Sequence, residues 1–498
     1  MLPFQDPKLS PKERAHDLCA RLTCREKVGQ LNQRLYGFRS VRREGEQLTL
    51  DEAFQKEVLH FGGLGTLYGL YRADPWSGRT RENGLYGENA VRAYNLAQRF
   101  VVEHSRFGIP MLVSSECPHG HQALDGYLLP VNLAAGAAFQ PELLYEAGKV
   151  CGRQLRELGV DLALVSMLDI LRDPRWGRSE ECYGEDPFHA AQFARAIVRG
   201  IQSQGVAVVA KHFCAQGETT GGLNASAARI GPRELREIHL PAARAACRAG
   251  VKGIMAAYNE IDGVPCHANE DLLQKILRGE FGFDGIIMAD GCAIDRLNDQ
   301  TGSTVASGAL ALRSGIDISL WDEGFSRLEE ALESGLIDEK VLNRAVERVL
   351  TLKLERGLFE HPYLPEERKP SVFSPKAFPQ SLALSRESLV LLKNEGALPL
   401  QNRGTAALIG PAADDLYRQL GDYTPPVEPD AGCTLLQGLR ELAAPEMRLW
   451  YNDGSDPKRA AALAAKADTV VLALGGSSIR FEQARFDKNG AALNGSMD

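Results

Sequence analysis

Ionisable side chains stand at the ends of several short apolar runs, and their types suit chemistry on a hydroxyl-rich ligand. Asp290 follows the run GIIMA, which makes its carboxylate a candidate nucleophile or general base. Lys211 and His212 follow VAVVA, and an ammonium beside an imidazole can donate hydrogen bonds to vicinal hydroxyls. The lysine could instead form a Schiff base with a carbonyl compound, or pair with a glutamate in a structural role. Further polar residues that end such runs are Glu116, Asp169, Tyr258 and Asn259.

The segment RDPRWGRSEECYGEDP, residues 172–187, concentrates arginines, acidic residues, a tryptophan and a tyrosine. Guanidinium groups donate paired hydrogen bonds to oxygens, and aromatic rings can pack against the apolar face of a pyranose. The segment therefore predicts a loop that recognises a sugar. An ion-pair network that holds a long loop in place is the alternative, and both can apply.

The apolar runs themselves predict parallel strands that are covered by helices on both sides. Helical segments such as 232–249 and 269–278 separate them, and the repeat over about 350 residues favours a (β/α)8 TIM-type barrel; a doubly wound open sheet is the alternative. In a barrel the polar run ends share the carboxyl rim, where active sites are built. Asp284 precedes its run and should lie at the opposite end. The predicted strands are 111–115, 161–166, 206–210, 253–257, 285–289 and 316–320.

A second unit follows the barrel. A helix over 339–355, which has an apolar stripe and is followed by Gly357 as a C-terminal glycine, closes residues 1–360. The Pro-rich, charged segment 361–381 is typical of a linker. Residues 382–498 contain the strand-like stretches AALIG and TVVLALGG, which predict an α/β sandwich. Few strands remain for an independent sheet, so we expect this second domain to be incomplete or completed by a partner.

Composition narrows the function classes. The 498 residues are 44% hydrophobic and carry a net charge of −8, so general disorder and nucleic-acid binding are not expected. No apolar run is long enough to span a membrane, and the charged N-terminus lacks an apolar signal region. Ten singly placed cysteines predict reduced thiols and a cytoplasmic location. A metal site at Cys117, His119 and His121 is an alternative with little support, because no second ligand cluster follows.

Several long motifs resemble glycoside hydrolase family 3, the β-glucosidase and β-xylosidase type. They include SSECPHGHQAL, RDPRWGRSEECYGEDP, AKHFCAQGETTGGLNAS, MAAYNEIDGVPCHANEDLLQKILRGEFGFDGIIMADG and LVLLKNEGALPL. The resemblance covers nearly the whole chain. It implies a barrel followed by a second α/β domain, and no cofactor or metal.

The resemblance also implies roles for individual residues. Asp290 matches the nucleophile of the family, and Tyr258 matches a tyrosine beside it. Four residues match those that hold the sugar in the −1 subsite, with the carboxylate accepting from hydroxyls and the other three donating: Glu116, Arg178, Lys211 and His212.

Two departures from the family pattern affect the expected chemistry. The family commonly has Ser-Asp-Trp at the nucleophile, whereas this chain has Ala289-Asp290-Gly291, so an aromatic wall is missing there. The general acid/base of the family is a glutamate of the second domain. Glu482 is the nearby residue of that type, and the alternative expectation is an acid beyond Asp498.

The resemblance implies a retaining, exo-acting hydrolase that releases a terminal β-linked sugar through a glycosyl-aspartate, with β-glucosides as the expected substrates. A β-xylosidase is the alternative within the family, since Glu116 reaches further than an aspartate and could crowd the C6 hydroxymethyl group. A sugar-binding remnant without full turnover is the alternative outside enzymes. The expected partners are β-linked oligosaccharides or glycosides, and a homo-oligomer is possible.

Overall fold

The computed structural model describes residues 2–372, 378–428 and 432–476. The predicted acid/base candidate Glu482 lies outside these residues. Six parallel strands form the central sheet, and their side chains are buried throughout because helices cover them. In chain order these strands are Thr66–Tyr68, Leu112–Glu116, Leu162–Ser166, Ala207–Phe213, Gly253–Ala256 and Ile286–Met288.

Two irregular segments complete the ring of strands. Tyr36 forms a parallel bridge with Tyr68 at one edge, and Ile318 forms one with Met288 at the other. These segments also bond to each other, because the Ser319 amide donates to the Leu31 carbonyl at 3.0 Å and the Trp321 amide to the Gln33 carbonyl at 3.1 Å. The eight positions therefore close into a barrel, and the predicted fold class is confirmed.

The predicted strand 316–320 is wrong as a regular strand. The Ile287 amide donates to the side chain of Asp317 at 2.8 Å, where a regular ladder would use a backbone carbonyl. Asp317 also accepts from Arg278 and Arg348, so a buried ion-pair cluster takes the place of strand pairing at this point.

Helices pack around the strands, and the long ones have one apolar face toward the sheet. The predicted helix over 232–249 is interrupted. It widens to a π-turn at Leu235–His239 and restarts at Pro241, because proline has no amide for the helical ladder and constrains the residue before it. The predicted helix 269–278 begins two residues late, since Asn269 caps it by accepting from the Leu272 amide at 3.0 Å.

The barrel helices are Pro11–Arg21, Cys24–Leu31, Gly37–Ser40, Glu52–Phe61, Gly87–Glu103, Asn132–Ala137, Pro141–Glu157, Pro187–Gln202, Pro232–Glu234, Pro241–Arg248, Asn298–Thr301, Thr304–Ser314, Leu328–Glu333 and Glu339–Glu355, with a π-helix at Asp271–Glu280. Short 3-10 turns lie at Pro3–Gln5, Ser179–Glu181, Cys266–Ala268, Asp295–Leu297 and Gly324–Arg327. Two small hairpins pair Val41–Glu44 with Gln47–Leu50 and Glu260–Ile261 with Val264–Pro265. Within the described ranges, no helix has both the length and the apolar composition needed to cross a membrane.

The second unit is a parallel sheet of three described strands, with Gly404–Ile409 between Met447–Asn452 and Thr469–Leu472. Its helices are Leu416–Leu420, Leu435–Leu442 and Pro457–Ala464. A further helix, Pro379–Glu387, spans the expected boundary at residue 382 and packs on the barrel, where Ser381 donates to the Leu128 carbonyl.

Candidate active site

Asp290 lies at the carboxyl rim, directly after the strand Ile286–Met288, and is 9% exposed. Its Oδ1 accepts from the Gly291 amide at 2.8 Å, and its own amide donates to Nε2 of His267 at 3.1 Å. Among the described residues, its Oδ2 has no hydrogen-bond partner. One carboxylate oxygen is thus held in place while the other is left to react.

His267 and Tyr258 surround this carboxylate without neutralising it. Burial lowers the pKa of His267 to about 4, so the ring is neutral and Nε2 can accept from the Asp290 amide. Burial and the charge of Asp290 raise the pKa of Tyr258 well above its usual value. The phenol therefore stays protonated beside the carboxylate, as the sequence predicted for its position.

The His212 ring lies between the carboxylate of Asp169 and the guanidinium of Arg178. Its Nδ1 lies 2.7 Å from Oδ2 of Asp169, and its Nε2 accepts from Nη2 of Arg178 at 2.9 Å. A guanidinium can only donate, so the ring proton sits on Nδ1 and faces the carboxylate. Nε2 is also 3.6 Å from Oδ2 of Asp290. A donation from His212 to a sugar stays a prediction, and it needs Nε2 to leave Arg178.

Arg178 is fixed by a buried pair. Its guanidinium donates two bonds to Glu181, at 2.6 and 3.0 Å, and Ser166 donates to the same carboxylate. The pKa of Glu181 falls and that of Arg178 rises because each is stabilised by the opposite charge, even though burial opposes both shifts. The guanidinium of Arg178 therefore stays protonated, and Glu181 fixes its orientation.

Lys211 and Glu116 form the second pair of the rim. Lys211 Nζ is 2.9 Å from Oε2 of Glu116, and Oε1 accepts from the Tyr68 hydroxyl at 3.1 Å. Tyr68 in turn accepts from Arg72, which is paired with Asp74. The charge of Glu116 outweighs burial and raises the pKa of Lys211, which opposes the unprotonated amine that Schiff-base chemistry needs.

Adjacent residues of a regular strand point to opposite faces, yet Lys211 and His212 both reach the site. The ladder between Ala207–Phe213 and Gly253–Ala256 is irregular between Ala210 and Phe213. This irregularity breaks the alternation of the strand, so one strand end supplies two donors.

A loop of the second unit also reaches the rim. The Tyr423 ring lies 5.0 Å from Nζ of Lys211, and its hydroxyl accepts from Arg178 at 3.4 Å. The Asp422 amide donates to Glu180 at 2.8 Å, and the Asp422 carbonyl is bonded to His119. Sequence reasoning missed Tyr423, Asp169 and Glu181 as site residues, although Asp169 stands at a run end.

The 172–187 loop is mainly an ion-pair network, from which Arg178 and its partner Glu181 enter the site. Arg172 pairs with Glu218, and Arg175 pairs with Asp173 on the surface. Trp176 and Tyr183 are buried in the protein and present no ring face to a ligand. The expectation that these aromatic rings contact a sugar is wrong, because the loop uses them to pack itself.

The residues of the metal alternative have other partners. Nε2 of His121 lies 2.9 Å from the Ser115 hydroxyl, and burial lowers the pKa of this ring to about 3. Both ring nitrogens of His119 face backbone carbonyls. In the part of the chain that the structure describes, no group of His, Cys, Asp and Glu could hold a metal ion. Asp284 pairs with Lys12 at the other end of the barrel, as expected.

Three other described carboxylates at this rim differ from Asp290, because each is within hydrogen-bond distance of a cationic or histidine side chain, whereas His212 lies 3.6 Å from Asp290. Glu116 bonds Lys211, Asp169 bonds His212, and Glu181 bonds Arg178. None of the three is therefore placed as a free general acid. The role of Glu482 stays a prediction, since that residue lies outside the described ranges.

Two family models match the chain. Residues 23–352 match the glycosyl hydrolase family 3 N terminal domain, and residues 389–498 match the C-terminal domain of the same family. A putative β-xylosidase from Formosa agariphila is 29% identical over 97% of this chain, and a periplasmic β-glucosidase from Salmonella typhimurium is 28% identical over 91%. The chain spans 65% and 58% of these two relatives.

Solved structures show the same fold. A β-glucosidase from Erythrobacter marinus matches 98% of this chain and 68% of its own, with a TM-score of 0.84 and 32% identity. A β-glucosidase from Listeria innocua in complex with glucose matches 94% of this chain and 64% of its own, with a TM-score of 0.80 and 28% identity.

Proposed function

Because the chain belongs to glycosyl hydrolase family 3, we propose that it hydrolyses terminal β-glycosidic bonds with retention, through a covalent intermediate on Asp290. β-Glucosides are the proposed substrates. The name of the Salmonella relative and the glucose complex of the Listeria enzyme support this choice.

One observation carries the proposal, and it is the state of the Asp290 carboxylate. Oδ2 accepts no hydrogen bond from the described residues and lies 3.6 Å from Nε2 of His212, whereas Oδ1 is fixed by the Gly291 amide. A nucleophile needs this arrangement, because attack on an anomeric carbon requires a free lone pair held in one direction. The charge of Asp290 contributes to the raised pKa of Arg178, so a permanent cation lies near this carboxylate.

The other rim residues bind the sugar in this proposal. Arg178 and Lys211 donate to hydroxyls of the −1 sugar, and Glu116 accepts from the sugar hydroxyls. His212 donates as well once its Nε2 has left Arg178 and carries a proton. The bond between Lys211 and Glu116 holds these two side chains in place before substrate arrives. Bonds that shorten as the sugar becomes oxocarbenium-like lower the barrier.

Retention needs a second carboxyl group about 5–5.5 Å from the nucleophile. Glu482 is the proposed residue, and an acid further along the protein is the alternative. Acid catalysis contributes about 10²–10⁴-fold for poor leaving groups. A protein without this acid should therefore retain activity on nitrophenyl glycosides and lose it on cellobiose.

The decisive experiment traps the intermediate. The protein is incubated with a 2-deoxy-2-fluoro-β-glucosyl fluoride, and intact mass and peptide mapping locate the adduct. We expect one glycosyl group on Asp290, no adduct in Asp290→Asn, and a full adduct in the matched control Asp284→Asn. Labelling of another residue, or none at all, would refute the mechanism.

β-Xylosidase activity is a second candidate, favoured by the name of the Formosa relative, which covers 97% of this chain. The ratio of kcat/KM for nitrophenyl β-glucoside and β-xyloside decides between the two sugars. Binding of glucose without turnover of any glycoside would instead identify a sugar-binding protein.

The cytoplasm is the proposed location, and the ten free cysteines are consistent with it. Fractionation with an antibody against the protein tests this. A homo-oligomer is also proposed, to be measured by light scattering at several concentrations.

A further inference from the structure

Gly291, the residue after Asp290, has no side chain, and the ring of Trp321 from a different segment occupies the space beside it. A Cβ added to Gly291 would lie 2.6 Å from ring atoms of Trp321 and 3.0 Å from the Tyr258 hydroxyl. Trp321 follows the irregular 316–320 segment and is half-buried, so part of its ring faces the rim. The glycine thus brings the Trp321 ring directly beside Asp290.

Trp321 belongs to a compact cluster of three aromatic side chains. Its ring centroid lies 5.2 Å from both Tyr36 and Trp76, and these two are 5.5 Å apart, so the three rings form a triangle. All three are half-buried on the same rim. Aromatic surfaces of this kind bind the apolar faces of sugar rings, so the cluster offers an aromatic surface beside the nucleophile.

One member of this cluster, Tyr36, also lines a pocket rich in arginine. A cavity of about 500 Å³ is lined by Tyr36 together with Arg39, Arg42, Arg43 and Arg79. Arg39 places its guanidinium 5.1 Å from the Tyr36 ring centroid. Because Trp321 contacts Tyr36 directly, the pocket adjoins the aromatic cluster beside Asp290.

The positive charge of this pocket is only partly neutralised. Arg42 pairs with Asp51, whereas Arg79 donates to the carbonyls of Phe38 and Asn83. Among the described residues, Arg39 contacts aromatic rings and no carboxylate. Burial and the charges of Arg42 and Arg39 lower the pKa of Arg79, as expected where cations are crowded.

Glu44 and Asp51 are the acidic residues that line the cavity, against four arginines. The whole protein has a net charge of −8, so this local excess of positive charge is opposite to the average surface. Guanidinium groups without acidic partners are well suited to bind a carboxylate.

We propose that the cluster of Trp321, Trp76 and Tyr36 holds the leaving-group side of the substrate beside this arginine pocket, which binds a carboxylate carried by an acidic oligosaccharide. The inference rests on the proposed function, because it needs the bond to be cleaved at Asp290. It assigns Arg39 as a specificity residue for the leaving group.

The test compares cellotriitol with cellotrionate, whose open-chain terminal units carry a hydroxymethyl group and a carboxylate, respectively, at the end distant from the cleaved bond. Calorimetry on the Asp290→Asn protein measures both dissociation constants without turnover. At low salt we expect cellotrionate to bind about 5- to 10-fold more tightly than cellotriitol. The preference should weaken at about 0.5 M salt, because exposed charges are screened.

The same ratio is then measured after Arg39→Gln in the Asp290→Asn background. We expect the ratio of the two dissociation constants to fall to about two or less, since the variant lacks the guanidinium of Arg39. Arg195→Gln, an exposed arginine on the helix Pro187–Gln202, is the matched control and should keep the full ratio. Equal affinities before substitution, or a ratio that survives Arg39→Gln, would overturn the proposal.

Two further outcomes separate this inference from its premise. If phosphate alone accelerates hydrolysis of a neutral glycoside, the pocket holds a free anion and the substrate assignment is wrong. If Asp290→Asn retains full activity on nitrophenyl glucoside, the proposed function fails, whereas the binding ratio still reports on the pocket.

Discussion

The barrel and the second unit bury their apolar side chains to different extents. Strands such as Leu112–Glu116 and Leu162–Ser166 are buried at every position, and one continuous core includes them. In the second unit, the central strand Gly404–Ile409 is buried at its last four positions, whereas Leu472 of the neighbouring strand is 60% exposed. The apolar run 389–392 is more than half exposed at each residue.

The barrel and the second unit therefore contribute differently to stability and to the candidate active site. The barrel holds the nucleophile and most sugar-binding candidates in a closed network of buried charges. The second unit has smaller cores, but its residues Asp422 and Thr424 are buried where its loop meets the barrel. This loop brings Tyr423 to the site.

The largest effect should come from breaking the buried charge network of the barrel. Arg178→Met leaves Glu181 buried without a cation, so we expect a loss of about 3–5 kcal/mol in the free energy of unfolding. The kcat/KM should fall by about 10³-fold, since His212 and the sugar lose a donor. Arg175→Met, in the same loop but exposed, should leave both unchanged. Denaturant unfolding and nitrophenyl glycoside kinetics measure these effects.

The barrel should also respond to pH through one buried amine. Lys353 is fully buried against Gln30, and burial lowers its pKa to about 7. Between about pH 7 and 10.5 the unfolded chain binds more protons than the folded one, so stability rises with pH by on the order of 4 kcal/mol. Lys353→Met should remove this rise in the barrel transition. An unchanged pH slope in that variant would contradict the assignment.

The second unit should unfold before the barrel. Leu408 is fully buried in the central strand of its sheet, and Leu408→Ala should cost about 2–5 kcal/mol and lower only the first of two thermal transitions. Leu164→Ala, equally buried in the barrel, should lower the second. Calorimetry measures both, and a single transition shifted by either variant would show that the two regions unfold together.

The smallest expected effect tests the reach of the second unit into the site. Tyr423→Phe keeps the ring beside Lys211 but removes the hydroxyl that accepts from Arg178. We expect KM to rise about 3- to 10-fold with little change in either thermal transition. Tyr451→Phe, on an outer strand of the same sheet, should change neither quantity.

Much of the barrel could be predicted because its strands are local apolar runs. Five of the six predicted strands occur within a few residues of their expected bounds. The sixth differs because the carboxylate of Asp317 replaces a backbone partner, which no pattern of hydropathy shows. The helix 339–355 and Gly357 were predictable from an apolar stripe and a C-terminal glycine, which adopts a φ of +70°.

The site was predicted less completely, since parts of it depend on contacts between distant segments. Lys211, His212 and Asp290 were predicted from their place after apolar runs; Asp290 follows Ile286–Met288, whereas Lys211 and His212 lie at the end of the strand Ala207–Phe213. Tyr423 comes from another unit more than 200 residues along the chain from Lys211, so no local pattern indicates it. Arg178 was identified by family resemblance, whereas nothing in the sequence distinguished its partner Glu181 from the other acidic residues of the loop.

The contact between Gly291 and Trp321 has a consequence for how this site can change. The two positions, thirty residues apart, share one volume, so a bulky residue at 291 requires a small one at 321. Single substitutions at 291 should be poorly tolerated, whereas a paired exchange would move the indole from one segment to the other. Homologous sequences should therefore vary at these positions in a correlated manner, with one large and one small residue in each.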